Sequence, residues 1–394
     1  MSGVNSTELT IINLAKCAID GISVTVPKDL DWKEMLQLCN SHKLLSLVCE
    51  GMNNSSIDFP EEVAENVNNI IFSYLIQDQQ QLFEISKLQD AFSKNDIDHM
   101  LIKGPILKRM YPKTDLRPMS DGDILIRLEQ KDKIFNVMRE LGYTEIKESA
   151  HEFVWGKGAV CIELHKYLVP PYNKDFTSYF GDGWGFAKSI DGKTSRYELS
   201  VNDHYIYMFT HFAEHYRDGG IGMLHMVDLW LYARTYDIDR EYICTELKKL
   251  GLFEFYKNIM HTVDVWFNGA KPDEMSDFIT RRIFDHGLWG TKKSRAVAQA
   301  TRKTKVSSSK LSSTKQIFSN IFPSVEKLQY RFPYLKKYKF LLPFAWGVRW
   351  LDAVLFKRDR VRNKLDDIKQ TTEDNISSYQ KELDYVGLDF NYKE

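Results

Sequence analysis

The chain has 394 residues, with 53 Lys and Arg against 54 Asp and Glu, for a formal net charge of -1. That balance gives no global attraction to nucleic acid, and the length leaves room for a substantial core in roughly two or three domains. Cys17, Cys39, Cys49, Cys161 and Cys244 lack metal-ligand spacing, no apolar run reaches membrane-spanning length, and Met1 to Ser6 lacks a signal peptide's basic start, so a folded cytoplasmic protein is expected.

Residues 1–98 read as a helical region. Leu9 to Ile19 and Asp31 to Met52 carry apolar residues at helical spacing. Pro60, with Glu61 and Glu62 behind it, starts a long amphipathic helix that runs to Phe92. The polar stretch Gln77 to Gln81 reads as a solvated face of that helix. Asn95 to Asp98 then leads into a strand, His99 to Ile102, which ends at Lys103-Gly104. Glycine lets backbone amides approach a phosphate closely, and Pro105 suits the first helical position, where free N–H groups favour anions. An ordinary strand-to-helix turn has the same appearance. A helix from Ile106 to Tyr111 and a loop with Pro112 and Pro118 follow. In that loop Arg117 is placed either to contact a phosphate or to pair with an acid, and Ser120 either to cap or to contact a nucleotide.

The most informative stretch is Ser120-Asp121-Gly122-Asp123-Ile124-Leu125-Ile126. In a strand, residues i and i+2 point to one face, so Asp121 and Asp123 project together while Gly122 faces the other way. Paired carboxylates repel unless a cation lies between them, and Mg²⁺ is a natural partner because it prefers oxygen ligands shared with phosphates. A solvated pair of turn acids is the bland alternative, but Ile124 to Ile126 reads as a buried strand, which suits the edge of an active site.

Lys131 to Leu141 is helical and closes at Gly142. His151 to His165 reads as a β-hairpin, turning through a three-residue loop at Gly156-Lys157-Gly158. On its second strand Val160, Ile162 and Leu164 share one face, and Cys161, Glu163 and His165 the other. Glu163 is then either an exposed edge acid or a third carboxylate joining Asp121 and Asp123 around a pair of metal ions. His165 either orients an acid or acceptor or is simply packed. Pro170-Pro171 and the glycine-rich run at Gly181 form a loop over the site or a surface excursion.

Residues 196–394 are again mostly helical. His211-Phe212-Ala213-Glu214-His215 matches a His-x-x-Glu-His zinc pattern, which would need a third ligand. Asp228 lies inside an apolar run and needs a partner; Arg217, Arg234 or a histidine is available. Arg281 to Lys315 is rich in Lys, Arg and Ser, and a flexible basic linker is expected near 291–315. Leu341 to Phe356 reads as a packed amphipathic helix. The polar tail from Asp366 to Lys393 is expected to be partly disordered, with Tyr385 to Phe390 able to dock.

The Lys103-Gly104 pair, the run from Arg117 to Ile126 and the Ile162-Glu163-Leu164-His165 segment together resemble the uncharacterised bacterial nucleotidyltransferase family of the polymerase-β-like superfamily. Segments around Trp32, Asp228 and Arg331 extend the resemblance over most of the chain. It implies an α+β fold in which a small mixed sheet, residues 99–195, carries the nucleotidyltransferase core between N-terminal and C-terminal helical regions. It also implies that Asp121, Asp123 and Glu163 are catalytic metal ligands for Mg²⁺ or Mn²⁺. Lys103-Gly104 would stand at the phosphate-binding turn, beside which Arg117 and Ser120 remain nucleotide-binding candidates from their place in the loop, and His211 and Asp228 would support the helical region or line the acceptor cleft. Pro105 and Gly122 depart from the usual residues of that superfamily. The expected reaction moves a nucleoside monophosphate from an NTP to an unidentified hydroxyl acceptor; the alternative is an inactive binding or scaffold protein on the same fold.

Overall fold

A computed structural model describes residues 5–190, 195–287, 290, 294–298, 301, 322–356 and 373–388. The basic linker expected near 291–315 lies largely outside the described residues, as do the first and last parts of the polar tail.

Helix α1 (Ser6–Asp20) is capped by Asn5, which forms a reciprocal box with Glu8. The single helix expected between Asp31 and Met52 is divided into α2 (Trp32–His42) and α3 (Leu45–Asn54). Lys43 adopts the left-handed conformation, with φ of 56°, and the Leu44 N–H turns back to Cys39 O at 2.8 Å. At this corner the buried His42 accepts a hydrogen bond from the Met223 N–H at 3.1 Å, which ties the break to the distant half of the chain.

Helix α4 (Glu61–Lys94) extends for 34 residues. Its polar stretch meets the sequence expectation only in part: Gln79 and Gln80 are exposed, but Asp78 and Gln81 are buried. Asp78 forms an ion pair with Lys108 and accepts from Thr114 Oγ1 at 2.7 Å. A buried charge requires such a partner, and this one arrives from beyond the first strand.

Among the described residues, seven strands form one mixed sheet. They are β1 (His99–Leu101), β2 (Gly122–Ile126), β3 (Thr144–Glu148), β4 (Glu152–Lys157), β5 (Val160–His165), β6 (Ala187–Ser189) and β7 (Arg196–Leu199). Their spatial order is β3-β4-β5-β2-β1-β7-β6. β2 runs parallel to β5 and β1 parallel to β7, while the remaining pairs are antiparallel. The β4–β5 hairpin turns over Gly158 and Ala159, not over three residues, since Lys157 already pairs with Val160. Short helices α5 (Gly104–Leu107), α6 (Lys131–Glu140) and α7 (Lys174–Phe180) connect the strands.

The alternation of side chains along the strands separates two apolar layers. Leu101, Ile124, Ile126, Ile162 and Leu164 pack with α4 and α6. Met100, Ile102 and Leu125 face the other way, toward a larger cluster built on helices α8 (Val201–Arg217) and α9 (Met223–Thr235). Helices α10 (Arg240–Lys249), α11 (Phe253–Val263) and α12 (Glu274–His286) extend that layer. The cluster also holds Ile11 of α1 and Leu383 near the C-terminus, so all three segments of the chain meet in one core. Part of the tail is therefore docked: Glu373–Tyr385 is helical, and Tyr379 donates to Arg217 O at 2.8 Å. The protein is thus an α+β fold, a mixed sheet flanked by helices.

Gly122 has a packing cause. A Cβ there would stand 2.9 Å from the Cδ1 atoms of both Ile162 and Ile85. Helix α4 lies so close to β2 that no side chain fits between them. Asp123 is consequently turned to the opposite face, toward α8 and α9. No helix among the described residues is long and apolar enough to cross a membrane.

Candidate active site

A cleft of about 270 Å³ opens between the sheet and helices α8 and α9. Its sheet wall carries Lys103, Gly104, Ser120, Asp121, Asp123 and Glu163, and Arg117 also lines it. Parallel pairing sets Asp123 opposite Glu163 and Leu125 opposite His165, so the acids and the histidine share one face by register alone.

Asp123 is 4% exposed. Its Oδ1 accepts from Lys103 Nζ at 2.9 Å and from His165 Nε2 at 2.7 Å. Glu163 Oε2 lies 3.5 Å from the same imidazole nitrogen. Among the described residues, two sets of three donors have all their ligating atoms within 4.8 Å of one another: Asp123, Glu163 and His165, and His151, Glu152 and His165. Asp123 and Glu163 of the first set line the cleft, His165 is buried beside them, and the set fits a divalent cation in donor type. Asp121 lines the same cleft outside that set.

The charges are strongly coupled. Burial raises the Asp123 carboxyl, but the Lys103 ammonium and the His165 hydrogen bond outweigh it and hold the group well below the usual carboxylate range. Asp121 behaves oppositely. Burial, then the negative charges of Asp123 and Glu163, push it up to about 7, while Lys103 and Lys43 oppose the rise. His165 is raised, its desolvation and the Lys103 charge being overcome by hydrogen bonds to Asp123 and Glu163.

This contrast predicts a pH effect on stability. With a folded-state value of about 7 against 3.8 for the free side chain, the native protein holds a proton on Asp121 that the unfolded chain releases. The contribution of Asp121 to stability therefore falls as pH rises through that window. Metal-free wild-type protein is expected to lose thermal stability relative to Asp121→Asn as pH goes from about 5 to 8. Melting curves of the two proteins in parallel buffers check this; a difference that stays flat with pH would refute it.

Lys103, the N-cap of α5 two residues beyond β1, has φ of 50° and ψ of -122°. Such a conformation in a non-glycine residue costs about 1–3 kcal/mol and persists only where its surroundings enforce it. The ion pair to Asp123 supplies one such restraint. Gly104 is needed for closeness: a Cβ would lie 2.8 Å from Met119 Sδ and 3.5 Å from Arg117 Nη1.

Arg117 pairs with an acid. Its Nε and Nη2 donate to the two oxygens of Asp228 at 2.7 and 2.8 Å, and Tyr111 Oη adds a 2.8 Å bond. The partner of Asp228 is thus Arg117, not Arg217, Arg234 or a histidine. Ser120 Oγ accepts from Lys43 Nζ, a residue delivered by the left-handed corner after α2. Local sequence pattern did not mark Lys43 for the cleft, nor His204, Tyr207 and His225 for its helical wall.

His211 and His215 do meet on α8, with their Nε2 atoms 3.1 Å apart. Burial lowers both, and His215 and Lys103 lower His211 further. His225 is the nearby third histidine, its ring 6.0 Å from that of His215. These residues form no set of three donors within 4.8 Å among the described residues, so the zinc-hydrolase pattern lacks its third ligand here. The glycine-rich run at Gly181 packs elsewhere: Trp184 Nε1 donates to Ile126 O at 3.3 Å, at the far end of β2 from Asp123.

A family profile described as "Uncharacterised nucleotidyltransferase" matches residues 28–268. The chain belongs to that nucleotidyltransferase family. The matched span covers both walls of the cleft, from Lys43 to Asp228, and family membership implies a transferase. No curated protein and no solved structure matches the chain. Within the nucleotidyltransferase span, the sheet joins Asp123, Glu163 and His165, and α9 joins Asp228 to Arg117.

Proposed function

We propose that this protein transfers a nucleoside monophosphate from an NTP to a hydroxyl acceptor, releasing pyrophosphate, with Mg²⁺ or Mn²⁺ bound by Asp121, Asp123 and Glu163. The observation that carries this reading is the register of β2 and β5, which sets Asp123 beside Glu163 at a cleft that Asp121 also lines. A divalent ion held there supplies charge neutralisation for the triphosphate and acidifies the attacking hydroxyl. Lys103 leaves Asp123 to contact the polyphosphate, where an ammonium acts as a point charge. Gly104 lets the backbone approach a phosphate, and Arg117 Nη1 stands beside that turn while the other nitrogens stay on Asp228. Ser120 offers its hydroxyl to the nucleotide. Glu163 receives the proton of the acceptor hydroxyl. The apolar side chains of the helical wall, Met208, Phe212 and Leu229, hold the acceptor or the base and limit water.

The second reading, an inactive binding or scaffold protein, is favoured by one observation: the Lys103 ammonium already neutralises Asp123. Calorimetry with the four common NTPs, with and without Mg²⁺, separates the two. The enzyme reading expects triphosphate binding that requires the ion, followed by label transfer from the NTP to a component of cell extract. Binding indifferent to the ion, with no labelled product, would favour the scaffold.

A further inference from the structure

His165 stands in an unusual place for a packed histidine. It is fully buried, yet its Nε2 points into the carboxylate group and not away from it. That nitrogen lies 2.7 Å from Asp123 Oδ1 and 3.5 Å from Glu163 Oε2. The opposite nitrogen, Nδ1, is 3.3 Å from His151 Nε2, which is itself 2.8 Å from Tyr167 O. The two rings meet edge to face with centroids 4.7 Å apart. His151 packs edge to face against the far side of this imidazole and restricts its ring, while the near nitrogen stands among carboxylates.

We infer that the divalent-ion site is a mixed nitrogen and oxygen site in which His165 Nε2 is a ligand beside Asp123 and Glu163, so that it selects Mn²⁺ or a similar first-row ion over Mg²⁺. This inference rests on the proposed function and deepens it. The geometric basis is that donor atoms of these three side chains all lie within 4.8 Å of one another. The chemical basis is ligand type. Mg²⁺ favours an all-oxygen octahedron and gives up water reluctantly, whereas imidazole nitrogen favours first-row transition ions. The sequence sets this up through Glu163-Leu164-His165, since i and i+2 on a strand share a face. The competing role for His165 is that of a positioning residue that only donates to Asp123.

The test is pulsed electron paramagnetic resonance of Mn²⁺ bound to the full chain, supplied alone and then with NTP. The expected spectrum shows one directly bonded ¹⁴N, which changes to a ¹⁵N pattern when histidine is ¹⁵N-labelled. The labelling arm needs no variant and so does not depend on a mutant folding. In His165→Asn and His165→Gln the nitrogen signal is expected to vanish, with Mn²⁺ affinity falling at least about tenfold while Mg²⁺ affinity changes less. In the double variant His211→Asn, His215→Asn the signal is expected to persist. Bound Mn²⁺ without coordinated nitrogen, or nitrogen that survives in both His165 variants, would overturn the inference and leave the proposed function standing. Failure of the wild type to bind Mn²⁺ or Mg²⁺ under any condition would overturn both.

Discussion

Asp123→Asn is expected to reduce NTP turnover by at least about 10²–10³-fold, equivalent to about 3–4 kcal/mol of lost transition-state stabilisation. The side chain is central because two cationic or donor groups, Lys103 Nζ and His165 Nε2, converge on a single one of its oxygens. Asparagine preserves the shape and retains an acceptor oxygen for both, so the fold should survive. What it loses is the negative charge needed to hold a divalent ion against competition from water. Ion-dependent triphosphate binding should disappear with turnover, while the circular dichroism spectrum remains that of the wild type. Turnover within about twofold of wild type would end the assignment of Asp123 to the chemistry. The opposite pattern, lost structure with the spectrum of an unfolded chain, would make Asp123 a structural acid.

Asp228→Ala is expected to be the most damaging single change to stability. It removes both acceptors of the Arg117 guanidinium and the partner of Tyr111 Oη in one step. The arginine and aspartate side chains are 9% and 2% exposed, so water cannot replace what is lost. Removing one member of a buried pair costs about 3–5 kcal/mol, because a desolvated charge is left uncompensated. The midpoint of urea unfolding should fall accordingly. Asp228→Asn should cost less, since its amide oxygen still accepts from Tyr111. The paired change Arg117→Met with Asp228→Leu should recover much of the loss, because apolar groups of similar volume remove both charges together. An unchanged midpoint in Asp228→Ala would show that the pair contributes nothing net.

What was legible in the sequence had a local cause. The alternation Ile124, Leu125, Ile126 and the split faces of Val160 to His165 follow from the two-residue period of a strand, and both reappear in the sheet. The helices with apolar stripes were legible through their own period of about 3.6 residues. What was missed had a distant cause or no pattern. Strand β3 is almost wholly exposed, and β6 and β7 have three and four residues, too few for a period to register. The corner at Lys43 depends on a contact between His42 and Met223 across the chain. Asp78 is buried because Lys108 reaches it, and Arg117 chose Asp228 from among acids far away in sequence. In the candidate site the acids were visible because strand spacing places them, whereas Lys43 and the histidines of the helical wall reach the cleft only through tertiary packing.

The ammonium of Lys103, 2.9 Å from Asp123, gives the cleft a tethered placeholder. On the reading proposed above, loading the site is an exchange of one cation for another, not the filling of a void. The side chain evicted in that exchange carries the charge that a polyphosphate attracts. Ion and nucleotide should therefore arrive as a cooperative couple, each tightening the hold on the other by the same factor. On the same reading the chain would not depend on its ion to remain folded, and its acids would stay neutralised until both ligands are present.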